Sequence, residues 1–179
     1  MKIVLIVAPV LTRSGYGEHA RFVVGSLSQY PHLYDLYIHP LSWGISSWDW
    51  GTDHRREYYD SLIKKTAQFQ GEFDVSLQVT IPSEWKKVAP VNIGVTAGVE
   101  TDRLPAPWVE ISNQMDHIIV TSQHIKKLFE SSPYSVKNQF SGEEVQMKGT
   151  KCPVSVVTYP VKEITAADLS ANISLEYDY

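Results

Sequence analysis

The chain has 179 residues, 43% hydrophobic and 20% charged, a composition that excludes a disordered or fibrous protein. Its 16 lysines and arginines against 20 aspartates and glutamates leave a formal charge of −4 without a basic run, which argues against a nucleic-acid partner. No apolar stretch approaches the roughly 20 residues that span a bilayer. The N-terminal apolar run has only Lys2 before it, Pro9 inside it and no small-residue cleavage pattern after it. A cytoplasmic location is expected.

The segment Lys2–Val10 is continuously apolar and β-branched, the pattern of a strand buried on both faces. A glycine-containing stretch to Gly17 follows, and then Ala20, Val23, Val24 and Leu27 recur at helical spacing until Tyr30-Pro31. Tyr34–Pro40 is a short strand. A loop with Trp43, Trp48 and Trp50 leads to Thr52 and Asp53, candidate caps for a helix whose inward face carries Tyr58, Tyr59, Leu62, Ile63, Thr66 and Phe69. Asp74–Ile81 alternates strictly, which predicts one wet face and a place nearer the sheet edge than the first strand.

Val91–Ala97 is the next strand, and Pro107 suits the first turn of the helix after it. His117–Thr121 is a strand, and Ser122 caps a helix with Ile125, Leu128 and Phe129 as its buried stripe, stopped by Pro133. A polar loop runs to Thr150 before a last strand, Pro153–Tyr159. Strands alternating with helices predict an α/β fold, Rossmann-like and doubly wound, its mainly parallel sheet covered by helices on both faces. One domain is expected over residues 1–161, with 162–179 a linker or terminal arm, since that stretch shows no core stripe.

Several residue types bear on chemistry. Cys152 is alone, so an intrachain disulfide and a cysteine-based zinc cluster are excluded, and it reads as a small core residue rather than a catalytic thiol. The six histidines show no metal-ligand spacing, and no metal is expected. The turn Ser14-Gly15-Tyr16-Gly17 lacks the Gly-Lys-Ser/Thr of a Walker loop and the acidic partner of a dinucleotide fingerprint. Its glycines either permit positive φ and close approach of a phosphate to a helix N-terminus, or simply serve a tight turn. His19, one helical turn in, either faces what that turn binds or is an ordinary helix residue.

The loop Gly98-Val99-Glu100-Thr101-Asp102 follows a strand, at the edge where open α/β sheets bind ligands. Its carboxylates and hydroxyl suit sugar hydroxyls, with Glu100 a candidate base. Alternatively it is a solvated loop in which Asp102 makes a turn or caps the next helix. The tryptophans either stack on sugars or pack beneath their loop.

The leading strand with Ser14-Gly15-Tyr16-Gly17, the run Asn92–Thr101, then Trp108, and the segment Asn113–Ser122 with its Asn-x-x-Asp together resemble the N-terminal domain of retaining GT-B glycosyltransferases of the glycogen-synthase and mannosyltransferase type. Val154–Val161 is similar to the element preceding that family's interdomain linker. The resemblance implies transfer of a hexosyl group from a nucleotide sugar to a glycan or other acceptor, without a metal. It would place Gly15, Tyr16 and Gly17 by the donor diphosphate, Glu100 as the catalytic residue, and His19, Thr101 and Asp102 against the sugars. It also implies a partner domain, absent or on a separate chain, that supplies the donor-binding carboxylate and the diphosphate's basic residues. The chain alone is then expected to be incomplete as an enzyme. The alternatives are a non-catalytic module binding a glycan or a protein, and one half of a split transferase.

Overall fold

A computed structural model describes residues 1–48, 54–137, 142 and 144–160. The chain begins with β1, Lys2–Ala8, α1, Gly15–Ser28, β2, Tyr34–Pro40, and α2, His54–Gln68. It continues through β3, Val75–Val79, a 3-10 turn at Pro82–Glu84, β4, Val91–Thr96, and α3, Ala106–Ser112. The last elements are β5, His117–Val120, α4, Gln123–Ser131, a hairpin of β6, Pro133–Lys137, and β7, Glu144–Lys148, and finally β8, Val154–Val156.

Six strands form one sheet in the order β2-β1-β3-β4-β5-β8, and every pairing in it is parallel. The fold is therefore the expected Rossmann-like, doubly wound α/β type. The chain moves outward from β1 to β2 and then returns past β1 to β3. The β1/β3 boundary is thus the topological switch point, where strand connections diverge and leave a crevice beyond the carboxyl ends.

The apolar run of β1 serves both faces of the sheet. Val4, Ile6 and Ala8 join Leu36, Ile38, Leu77, Val79 and Val95 in a core closed by Ala20 and Val24 of α1. Each buried valine, leucine or isoleucine among them stabilises the fold by about 1.5–3 kcal/mol relative to exposure. Helix α1 starts because Ser14 caps it, its Oγ accepting from the Gly17 N–H at 3.0 Å. A second core lies towards the other edge, where Trp85, Val109, Ile118, Val120, Leu128 and Phe129 pack together. Ser122 caps α4 as expected, accepting from the Ile125 N–H at 3.3 Å.

Two expectations are overturned. β3 is an interior strand between β1 and β4, and its alternate face is dry: Ser76, Gln78 and Thr80 are all buried. Ser76 donates to Asn92 Oδ1 at 2.9 Å, and the Gln78 amide donates to Ser76 Oγ at 3.0 Å and accepts from the Lys86 N–H at 2.9 Å. Alternation here marks a polar seam satisfied against the segment after the 3-10 turn, which replaces water as the hydrogen-bonding partner. The stretch expected as a polar loop before Thr150 contains β6 and β7, paired antiparallel apart from the main sheet, with Tyr134 packed on the second core.

Among the described residues no helix is long and apolar enough to cross a membrane. Trp50, the expected caps Thr52 and Asp53, and the arm expected over 162–179 lie outside the described residues.

Candidate functional site

The site is built where β1, β3 and β4 end. Helix α1 begins at Gly15, and neither Gly15 nor Gly17 has positive φ, so of the two roles open to these glycines the left-handed turn is not the one they serve. What demands glycine at 17 is contact: a Cβ there would stand 2.2 Å from the Thr12 carbonyl oxygen and 2.9 Å from its Oγ1. A Cβ at Gly15 would meet nothing within 4 Å. Gly17 therefore seats α1 against the end of the β1 segment, while Gly15 faces open space.

Tyr16, between them, reaches across the strand ends. Its hydroxyl lies 2.8 Å from Thr96 Oγ1 and accepts from the Ala97 N–H at 3.2 Å, and its ring lies against Trp43 with centroids 4.3 Å apart. Burial raises the phenol's pKa above its ordinary value, Thr96 and Ala97 partly offset that, and the negative charge of Glu84 adds to it. Glu84, on the 3-10 turn after β3, accepts a hydrogen bond from the buried Thr80 hydroxyl. Sequence reasoning missed Glu84 and Thr80. A Thr at a strand end four residues before a Glu was the available signal.

Next to this crevice, on the sheet face bearing Leu5 and Val7, is a cavity of about 590 Å³ lined also by His39, Ser42, Gln78, Glu84 and Lys86. The second candidate loop is reached through its root. Gly98 has φ +81, and a Cβ there would lie 2.5 Å from Cγ2 of Ile125, so the loop presses directly on α4. Its tip turns to the same helix. His124 Nε2 lies 3.2 Å from the Thr101 carbonyl oxygen, and the Thr101 hydroxyl donates to the Arg103 carbonyl at 2.9 Å. Glu100, Thr101 and Asp102 are exposed. Pro105, not Asp102, occupies the N-cap position of the helix that follows, and no side-chain hydrogen bond caps it. The structure thus brings the glycine turn to Thr96–Gly98, and leaves Glu100 to Asp102 at the solvent rim.

His19 lies on the inner side of α1 at 7% exposure, with Nδ1 unpartnered and the ring edge-on to Tyr159, centroids 4.9 Å apart. Burial lowers its pKa and keeps the imidazole neutral. It lines a second cavity of about 590 Å³, between α1 and Leu77, Val95, Ile119 and Tyr159. Trp48 packs on the first core and Trp43 on Tyr16, so each supports its loop. Cys152 is buried, and burial pushes its thiol up to about 11, which disqualifies it as a nucleophile at neutral pH. Among the described residues no group of three or more His, Cys, Asp or Glu is placed to hold a metal ion.

These features define a doubly wound, parallel α/β domain with a crevice at its switch point, the class of fold that binds ligands beyond the carboxyl ends of its strands. No protein-family model matches the chain, and comparison with curated proteins and with solved structures finds no match to it.

Proposed function

We propose that the chain is the acceptor-side half of a hexosyltransferase of GT-B type, which uses a nucleotide sugar as donor and a glycan or other hydroxyl-bearing acceptor. The observation that carries the reading is the link from the Tyr16 hydroxyl to Thr96 and Ala97, which joins the glycine turn after β1 to the root of the loop after β4 in one crevice. Those are two of the segments on which the sequence resemblance rests. The open space at Gly15 gives a diphosphate room beside the backbone, and the exposed Glu100, Thr101 and Asp102 stand at the rim for sugar hydroxyls.

On this reading, the carboxylate and basic residues that hold the donor belong to a second Rossmann-like domain, and the chain alone turns over little or no nucleotide sugar. The test is ligand-detected NMR of the chain with nucleotide-diphosphate sugars and a panel of simple glycans. Binding that Gly15→Val abolishes and Glu100→Ala weakens supports the reading, since valine at 15 fills open space without displacing a neighbour. Absence of binding to every ligand in the panel would remove the glycosyl-transfer reading. Turnover at an enzyme-like rate would remove the assignment of half the machinery to another domain.

A further inference from the structure

The cavity over Leu5 and Val7 opens on a face of the sheet that helix α2 leaves uncovered. The helix runs instead along the outer edge of β2, where the Ile38 N–H donates to Thr66 Oγ1 at 2.8 Å and Lys65 Nζ donates to the Leu36 carbonyl at 3.2 Å. Val7 is in register with His39 on one side and Gln78 on the other, so the three side chains form one row across β2, β1 and β3. At a strand spacing of about 4.8 Å, the ends of that row stand about 10 Å apart. Leu5 and Val7 make an apolar floor, Leu41 and Val88 add apolar lining, and His39 closes one end. The volume, about 590 Å³, is within the usual range for small-molecule sites.

The Gln78 end carries two unlike charges. The backbone of Trp85 is extended, and its ring packs in the second core over Gly94, where a Cβ would lie 2.6 Å from Cζ2 of the indole. Its neighbours Glu84 and Lys86 turn the other way, and both line the cavity. Two residues of extended chain put their Cα atoms about 7 Å apart. The two charges do not pair with each other. Among the described residues Lys86 Nζ has no ion pair or hydrogen bond, and the Glu84 carboxylate accepts from the Thr80 hydroxyl through one oxygen alone. An anion drawn to Lys86 would also face Glu84, and a cation drawn to Glu84 would also face Lys86; a zwitterion meets opposite charge at both. We propose that this cavity binds an aromatic α-amino acid, its carboxylate on Lys86, its ammonium on the second oxygen of Glu84 and its ring along Leu5 and Val7 towards His39. A flat ring suits a floor made by a sheet and reaches along the row, which a methyl-sized side chain would leave unfilled. The proposal does not rest on the glycosyl-transfer reading, since it needs neither nucleotide nor sugar. The charge of Glu84 also reaches Tyr16, so the cavity and the crevice are neighbours.

The experiment is titration of the full chain with phenylalanine, alanine, 3-phenylpropionate and phenethylamine, followed by amide NMR without any nucleotide sugar. Phenylalanine is expected to shift Val7, Gln78 and Lys86, and to bind about tenfold more tightly than alanine. The two singly charged analogues are each expected to bind about three- to tenfold more weakly than phenylalanine. Lys86→Met and Glu84→Gln, both at exposed positions, should each weaken phenylalanine by a similar factor while the amide spectrum stays folded. Lys86→Met should leave phenethylamine no weaker, and Glu84→Gln should leave 3-phenylpropionate no weaker. An analogue that binds as tightly as phenylalanine, or phenylalanine affinity unchanged in either variant, overturns the proposal. So does the absence of shifts at Val7 and Gln78.

Discussion

The Tyr16 hydroxyl sits 2.8 Å from Thr96 Oγ1, a contact between residues 80 positions apart that fastens the first turn of α1 to the end of β4. The same oxygen accepts from the Ala97 N–H at 3.2 Å, so one phenol fixes both a side chain and a backbone amide of the next segment. Thr96 Oγ1 in turn accepts from the Gly98 N–H at 3.2 Å, which extends the tie to the glycine that seats the loop on α4.

Tyr16→Phe should therefore loosen the loop root more than it loosens the fold. The ring keeps its place against Trp43, while the Ala97 amide loses its acceptor, a loss of about 1 kcal/mol, rising towards 3 if the amide stays unsatisfied. Urea unfolding measures the global change. Amide exchange should accelerate at Ala97 and Gly98 while Val95 stays protected. Equal acceleration along β4 would contradict a local role for the hydroxyl.

The two glycines of the turn should respond oppositely to alanine. At Gly17 the new Cβ would meet the Thr12 carbonyl at 2.2 Å, so α1 must shift from β1, at about 1–3 kcal/mol. At Gly15 the Cβ meets nothing and φ is not positive, so alanine should be neutral or stabilising by up to about 1 kcal/mol through its better helix propensity. Thermal unfolding of the two variants side by side checks this. Equal destabilisation would mean that Gly15 too is held by a contact.

Where the sequence was legible, one physical signal acted alone. The unbroken apolar run of β1 and the Ser122 cap of α4 reported burial and a hydrogen bond made within a few residues. The period-two pattern of β3 was legible as a strand but not as a position, because polar side chains alternate in the same way over water or over a buried seam. Only Asn92 and the backbone of Lys86, brought in by the tertiary fold, decide between the two. The candidate site divides along the same line. The turn holding Tyr16 announced itself through its glycines, whereas its partner Thr96 lies on β4 and its charged neighbour Glu84 on the 3-10 turn after β3. The roles proposed for Glu100 and Asp102 came from residue type and strand-end placement, and their exposed positions leave those roles to the binding experiment.

Cys152 gives a test of the second core by pH. Burial holds its thiol protonated to about 11, whereas in the unfolded chain it ionises near 8.5. Between these values the folded chain binds the extra proton, so this group's contribution to stability falls as pH rises, by on the order of 2 kcal/mol across the window. Below the lower value both states carry the thiol and the contribution is constant. Urea midpoints for wild type and Cys152→Val should diverge from about pH 9 upward. At pH 8 the native thiol should also react with an aromatic disulfide reagent far more slowly than the urea-unfolded chain; equal rates would show that the second core, to which Cys152 belongs, opens readily.

His19 carries the opposite sign. Its folded pKa is lowered by burial, so as pH falls below about 6.5 the unfolded chain takes up a proton that the folded chain refuses. The unfolded state then binds more protons, and stability should fall towards acid with a slope of at most about 1.4 kcal/mol per pH unit from this residue. Carboxylates give their own acid dependence, so the informative quantity is wild type minus His19→Phe, measured by urea unfolding from pH 7.5 to 5. That difference should be flat above the unfolded value and should slope below it. A difference curve flat throughout would mean that the imidazole is solvated when charged, and that the cavity opens to water beside α1.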